Sequence, residues 1–339
     1  MKKTLIVLLG SMLSFSSCFN EKEKPTVNLP LQGSVLVLNE GNFQWGNASV
    51  TSYNLATKTY EGGDLFQAAN GYRLGDVLQS ATRINNAIWL VLNNSQKIEV
   101  VSPDDFKVQM TVTNVLSPRY VCALGNGEVA ISDLYSDSIS FVDAGSGMIN
   151  KRIYLKGWTE QMLAQGNNLW VSNMQSHKIY RIDIDKKRVA DSLDIGFGSY
   201  SLYEDSRQNI WIATKGNKNL NIPSEIHCLN PKTNSLIFSE EVGELTVQDF
   251  FMDEQDRLYY IYANEVFRFS INDSKLPKTP FYNGPAGILY AVESHGGKVL
   301  LCDAIDYVQN GKVTVLKEDG TILSTFLAGR IPNGFLFIP

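Results

Sequence analysis

The chain has 339 residues, 44 % of them apolar, with 30 basic against 35 acidic side chains and a net charge of −5. If Lys2 and Lys3 leave with a leader, 28 basic residues face 35 acidic ones, which argues against a phosphate-tracking surface and so against nucleic acid as a partner. Aromatic residues make up 11 %, with 15 tyrosines, a composition that suits β-structure and ligand-facing surfaces.

Residues 1–17 read as a signal peptide: two lysines, an apolar stretch from Leu5 to Phe15, then Ser16 and Ser17. The apolar stretch is too short to span a bilayer. Phe15-Ser16-Ser17-Cys18 resembles a bacterial lipobox, with Phe in place of the usual Leu. That resemblance implies that Cys18 is acylated and becomes the mature N-terminus. Residues 18–32 are then a lipidated N-terminus and polar tether carrying Pro25 and Pro30. Glu21 and Glu23 resemble the acidic export signal of surface lipoproteins in Bacteroidetes.

From residue 33 onward the chain repeats. Its plainest copy runs from Asn168 to Gly196. Leu169 to Asn173, His177 to Asp183 and Arg188 to Ile195 are short alternating segments that break at Asn, Asp and Gly, the signal of antiparallel strands in a meander. A meander this short cannot bury its own faces and needs copies to stack against. Aligned on the residue that closes the second strand, the copies end at Asn39, Asn93, Asp133, Asn173, Thr214, Ala263 and Asp303, in steps of 54, 40, 40, 41, 49 and 40 residues. A period near 40 with four strands per unit predicts an all-β fold, a seven-bladed β-propeller over residues 33–339. Trp89, Trp170 and Trp211 fall mid-strand at matching positions and are expected in the core.

Blade one opens at Ser34 with a strand of the second type, so its innermost strand is expected from the C-terminus. Pro118, Pro285 and Pro332 are read as standing at one place in the unit, ahead of inner strands. A C-terminal strand from Phe335 to Ile338 would close the ring and remove two open sheet edges.

Insertions fall in loops between second and third strands, at Glu40 to Asn47, Lys215 to Ser224 and Ala304 to Gly311, and between blades one and two at Gln67 to Asp76. In a propeller these loops emerge on one face, the usual mark of a binding face. Loops within blades offer Phe43, Gln44, Trp45, Tyr135, Met174, Gln175 and Tyr307 as candidate ligand contacts. Loops between blades offer Tyr72, Arg73, Arg119, Tyr120, Trp158, Glu160, Phe197, Tyr200, Gln248 and Asp249, and the closing strand offers Asn333. Aromatics with a polar handle are the residue types that anchor ligands. Trp45 and Trp158, both in glycine-flanked loops, are expected to be exposed.

No catalytic signature is present: no G-x-S-x-G, HExxH or P-loop, and His177, His227 and His295 stand in different blades. Cys122, Cys228 and Cys302 read as buried free thiols. Asp133, Asn173 and Asp303 end equivalent strands, either as caps on the turns or as ligands of an axial calcium.

The leader, the repeat, the opening LNEGNFQWGNASVTSYN and the ending GRIPNGFLFIP together resemble the propeller lipoproteins of Bacteroidetes that sit beside TonB-dependent outer-membrane transporters, among them surface cobalamin-binding lipoproteins. The resemblance implies a non-enzymatic protein without cofactor, lipid-anchored in the outer membrane at the cell surface. It would capture a nutrient, cobalamin first, and pass it to a TonB-dependent transporter, touching the membrane through the lipid anchor only. The alternatives are a propeller hydrolase of the lactonase type with an axial metal, and a carbohydrate- or protein-binding scaffold.

Overall fold

Ser34–Asn39, Ala87–Leu92, Glu128–Asp133, Asn168–Asn173, Ile210–Thr214, Arg257–Tyr262 and Lys298–Asp303 are the second strands of seven antiparallel sheets, where the alignment of the repeats places them. The computed structural model describes residues 31–61 and 63–338. The leader, Cys18 and nearly all of the tether lie outside the described residues.

These second strands are apolar on both faces because blades pack face to face. In Ser34–Asn39 all six residues are buried. Leu36 and Leu38 turn towards blade two and meet Ile88 and Leu90; Val35 and Val37 turn towards blade seven and meet Leu300 and Val313. The described residues form seven such clusters, one in each seam between blades. The core is therefore a ring of seams rather than one central mass. Trp89, Trp170 and Trp211 lie in three of these seams, each at most 2 % exposed.

Pro332–Phe337 pairs antiparallel with Ser34–Asn39, Phe337 opposite Val35 and Pro332 opposite Asn39. The C-terminal strand is thus the innermost strand of blade one, and the fold is a seven-bladed β-propeller closed by its own C-terminus.

Three expectations are corrected. Pro118 faces Asp133 and Pro332 faces Asn39, but in blade seven Leu289 holds that place, opposite Asp303. Pro285 belongs instead to the linker, where at Gly287 a Cβ would collide with the Asp303 carboxylate. Blade six has three paired strands, not four. The stretch where a fourth would lie carries Pro277 and Pro280, which cannot donate to a ladder, and makes a single bridge from Tyr282 to Val266. Cys228 and Cys302 are buried free thiols, but Cys122 is only half-buried, since it lies on an innermost strand and faces the axial channel.

The 54-residue first step has a cause that alternation did not reveal. Leu65–Asn70 is a short helix, capped by the Asp64 side chain, which accepts from Phe66 N at 3.1 Å, and by left-handed Gly71. It buries Leu65 and Phe66 against the seam of blades one and two.

Candidate functional site

The seven innermost strands start at the loop-bearing face and run away from it around a central channel. Five of them begin at strictly equivalent residues, Pro332, Pro118, Thr159, Ser199 and Leu289, each opposite the residue that closes its second strand. The next residue in each is Asn333, Arg119, Glu160, Tyr200 or Tyr290. All five strands carry a bulge just beyond this start, in blade one at Asn333 itself, and bulges re-aim side chains. All five residues line one cavity of about 400 Å³ under the loop face, with Gln79 and Gln248 from blades two and six.

This upper storey is polar. Arg119 donates from Nε to both carboxylate oxygens of Glu160, each at 3.0 Å, and from Nη1 to Gln79 Oε1. Burial, the largest single influence, would lower the Arg119 pKa; the charge and hydrogen bond of Glu160, with Tyr120 and Glu40, together outweigh it and raise the pKa. Lys215, in the blade-five insertion, turns inward. Its Nζ donates to Val247 O at 2.7 Å and Gln248 O at 2.8 Å and stands 3.7 Å from the centre of the Tyr200 ring. Burial pulls its pKa down to about 8 against the attraction of Asp249. Burial likewise pushes Glu40 up to about 7, opposed by Arg119 and by hydrogen bonds from Asn333 Nδ2 (3.2 Å) and Tyr290 Oη (3.4 Å).

Further along the same strands lies a second cavity of about 480 Å³, sharing Gln79, Tyr120, Asp249 and Asn333 with the first. Its walls come from the later residues of the inner strands, among them Cys122, Met162, Tyr203, Phe251, Glu293 and Phe335. Glu293 accepts from Phe335 N at 3.1 Å, yet burial pushes its pKa up to about 8. Asp249, which accepts from Val292 N at 2.8 Å, is also raised by burial.

The sequence candidates divide between channel and rim. Phe43, Arg119, Tyr200, Gln248 and Asn333 line the upper cavity. Arg119, Tyr120, Glu160, Tyr200 and Asp249 belong to innermost strands and not to linkers, and Tyr200 is buried at 8 % exposure. Trp45, Tyr135, Tyr72 and Tyr307 stand exposed on the surrounding rim, with Gln44, Arg73 and Gln175 beside them, also exposed. Trp158 is half-buried rather than exposed, because its ring packs edge-on against Tyr135 with centroids 6.3 Å apart. Tyr307 meets Tyr290 edge-on at 5.9 Å and so joins rim to channel.

The sequence reading missed Glu40, Gln79, Lys215, Tyr290 and Glu293. The signal for Tyr290 was present: reading one column across the aligned inner strands gives it together with Arg119, Glu160, Tyr200 and Asn333. Lys215 carried no such signal, since it reaches the channel from a loop.

The strand-closing residues act as caps. Asp133 Oδ2 accepts from Leu116 N and Ser117 N, and its Oδ1 from Tyr135 N and Ser136 N. Asp303 Oδ1 accepts from Ile288 N and Ile305 N, and Asn173 bridges Lys156 O and Gln175 N. Among the described residues no group of three or more His, Cys, Asp or Glu side chains is placed to hold a metal ion.

Comparison with solved structures gives the same fold. A quinonprotein alcohol dehydrogenase-like protein of Bacteroides thetaiotaomicron superposes with a TM-score of 0.74 at 14 % identity, covering 92 % of this chain and 80 % of its own. Apo AztD of Citrobacter koseri gives 0.59 at 10 % identity, covering 89 % and 96 %. Hydrazine synthase of Kuenenia stuttgartiensis gives 0.53 at 14 %, covering 69 % and 74 %. At these identities the likeness is one of fold. No curated protein sequence matches the chain. The sequence profile described as a domain of unknown function, DUF5074, matches residues 33–284, and the chain belongs to that family.

Proposed function

We propose that the protein is a non-enzymatic capture protein: a lipoprotein anchored through Cys18 in the outer membrane, at the cell surface, that takes up cobalamin on its loop face and passes it to a TonB-dependent transporter. The observation that carries this reading is the rim. Phe43, Trp45 and Tyr135 are 62 %, 71 % and 62 % exposed, spread over blades one and three on one face around a polar cavity mouth. Single exposed rings are ordinary, but apolar groups gathered on one face around a cavity mouth mark a binding surface. Cobalamin offers a flat corrin, many amide groups and little net charge. It needs broad aromatic contact with hydrogen-bonding groups between, and Gln44, Gln175, Gln248 and Asn333 supply those.

Calorimetry of the purified protein with cyanocobalamin tests the ligand. Binding at micromolar protein supports it; no heat removes cobalamin and leaves an oligosaccharide, which also stacks on rings, as the next probe. Metal-dependent ester hydrolysis would overturn the non-enzymatic reading. For the anchor, Cys18→Ala should move the protein from the membrane to the soluble fraction, because the acyl chains supply the membrane affinity. Co-purification with a TonB-dependent transporter tests the partner.

A further inference from the structure

The upper storey of the channel holds its own charges in pairs. Arg119 donates to both carboxylate oxygens of Glu160 at 3.0 Å. Lys215, fastened to Val247 O and Gln248 O, faces Asp249. An anion entering this space meets Glu160, and a cation meets Arg119 and Lys215. Like charges brought together away from water repel strongly, so the cavity favours a ligand without net charge.

Two buried polar atoms beside this cavity have no partner. Tyr200 is 8 % exposed, and its Oη makes no hydrogen bond. Burial, with the nearby Asp249, Tyr203 and Tyr120, raises its pKa well above the ordinary tyrosine value, so the hydroxyl keeps its proton. Those three residues line the channel, and Tyr200 itself lines the upper cavity. Asn333 Oδ1 is the second orphan. The amide is fixed with this oxygen free, because Nδ2 already donates to Glu40 Oε1, Leu78 O and Gln79 O. Buried polar atoms are almost always paired, so a hydroxyl and an acceptor left single in one cavity ask for a partner that both donates and accepts.

Water meets that demand but not the rest of the lining. All seven blades give the cavity a polar side chain, and the rings of Tyr120, Tyr290 and Phe43 add apolar wall. A ligand with one polar end would use only one side of such a space. A sugar ring carries hydroxyls around its whole periphery, each of which donates and accepts, and it has C–H faces that aromatic rings cover. The volume, about 400 Å³, is that of a small-molecule site.

We infer that the upper storey of the channel binds a neutral hexose, with Tyr200 Oη and Asn333 Oδ1 each taking a hydroxyl and the three rings covering its faces. The inference does not rest on the cobalamin reading of the rim, although Gln248 and Asn333 border both.

The test varies charge at nearly constant shape. Glucose, galactose and mannose are titrated into the purified protein by calorimetry at neutral pH, beside the 2-amino-2-deoxy and uronic acid forms of each. At least one neutral hexose should bind saturably, with both of its charged forms at least about tenfold weaker. Tyr200→Phe should weaken that hexose about tenfold and melt no lower than wild type, because the hydroxyl it removes has no partner in the free protein. Tyr154→Ala, exposed at the end of an outermost strand, should leave binding unchanged. Three results overturn the inference: no hexose binds at millimolar concentration, which would leave the orphan atoms to water; a charged form binds as tightly as its neutral parent; or Tyr200→Phe keeps wild-type affinity. If Tyr200→Phe does not fold, the comparison of neutral and charged sugars on the unaltered protein decides by itself. Cyanocobalamin is titrated separately and reads the rim, so failure of one site does not imply failure of the other.

Discussion

On the rim, Trp45 stands 71 % exposed on a turn fixed by its neighbours and not by the Trp45 ring: Gln44 N donates to Asp76 Oδ2 at 2.7 Å, Asn42 N to Asn47 Oδ1 at 2.7 Å and Asn42 Nδ2 to Tyr307 O at 2.6 Å. In the channel wall, Arg119 and Glu160 hold each other by two hydrogen bonds, and Lys215 spends its ammonium on the wall itself. Rim side chains are presented; wall side chains are interlocked. Substitution on the rim should therefore change binding and leave folding alone, whereas substitution in the wall should reach the fold.

The largest effect expected of this contrast comes from the wall strand that closes the ring. Deleting residues 335–339 removes half of the innermost strand of blade one and uncovers the seam in which Phe335 lies. A ring has no dispensable end, unlike an open solenoid. Loss of a cooperative melting transition is expected, and a truncated protein melting at the wild-type temperature would show that closure is not needed.

Next comes the ion pair. Glu160→Ala leaves the Arg119 guanidinium in the wall without its counter-charge, and removing one partner of a buried pair costs about 3–5 kcal/mol. The Arg119 side chain keeps 20 % exposure against 4 % for Glu160, so the lower end is expected in urea denaturation. A change within about 0.5 kcal/mol, the range of ordinary surface substitutions, would place this pair with the rim.

On the rim itself, Trp45→Ala should weaken cyanocobalamin by about 2 kcal/mol, as a central aromatic contact does, with melting unchanged. Equal loss of binding and of stability would erase the distinction between the two regions.

A further contrast is a pH slope confined to the wall. Burial holds Glu40 near 7 and Glu293 near 8, above the ordinary carboxyl value of 4.5. The folded state keeps protons that the unfolded chain loses between these values. Their contribution to stability is full below about pH 4.5 and is lost as pH rises through 7 and 8. Lys215, lowered from 10.5 to about 8, acts in the opposite sense and only above pH 8. The melting temperature of Glu293→Gln relative to wild type should therefore rise between pH 5 and 8. A constant difference across that range would mean that Glu293 is already ionised.

Much of this was legible in the linear chain. Seven strand-closing residues, from Asn39 to Asp303, fixed the number of blades, because each blade must repeat the same apolar second strand to fill two seams. The missing first strand before Ser34 and the apolar ending at Phe335 fixed the closure, since an open edge at either place would be left unpaired. Trp89, Trp170 and Trp211 were recognisable as core from matching positions alone. Alternation could not reveal the helix at Leu65–Asn70, which is too short for its period to register, nor that blade six lacks a full fourth strand.

The channel was decided by tertiary structure. Asn333, Arg119, Glu160, Tyr200 and Tyr290 are up to 214 residues apart in sequence and meet only because seven inner strands converge on one axis. Lys215 looked like a solvated loop charge and is drawn inward by two carbonyls and a ring that the next blade and its own inner strand supply. The values near 7 and 8 at Glu40 and Glu293 have no trace in the sequence, because desolvation belongs to the closed ring and not to any residue in it. Local pattern determines which strands form and how many blades they make; the charge state of the channel exists only once the last strand has paired with the first.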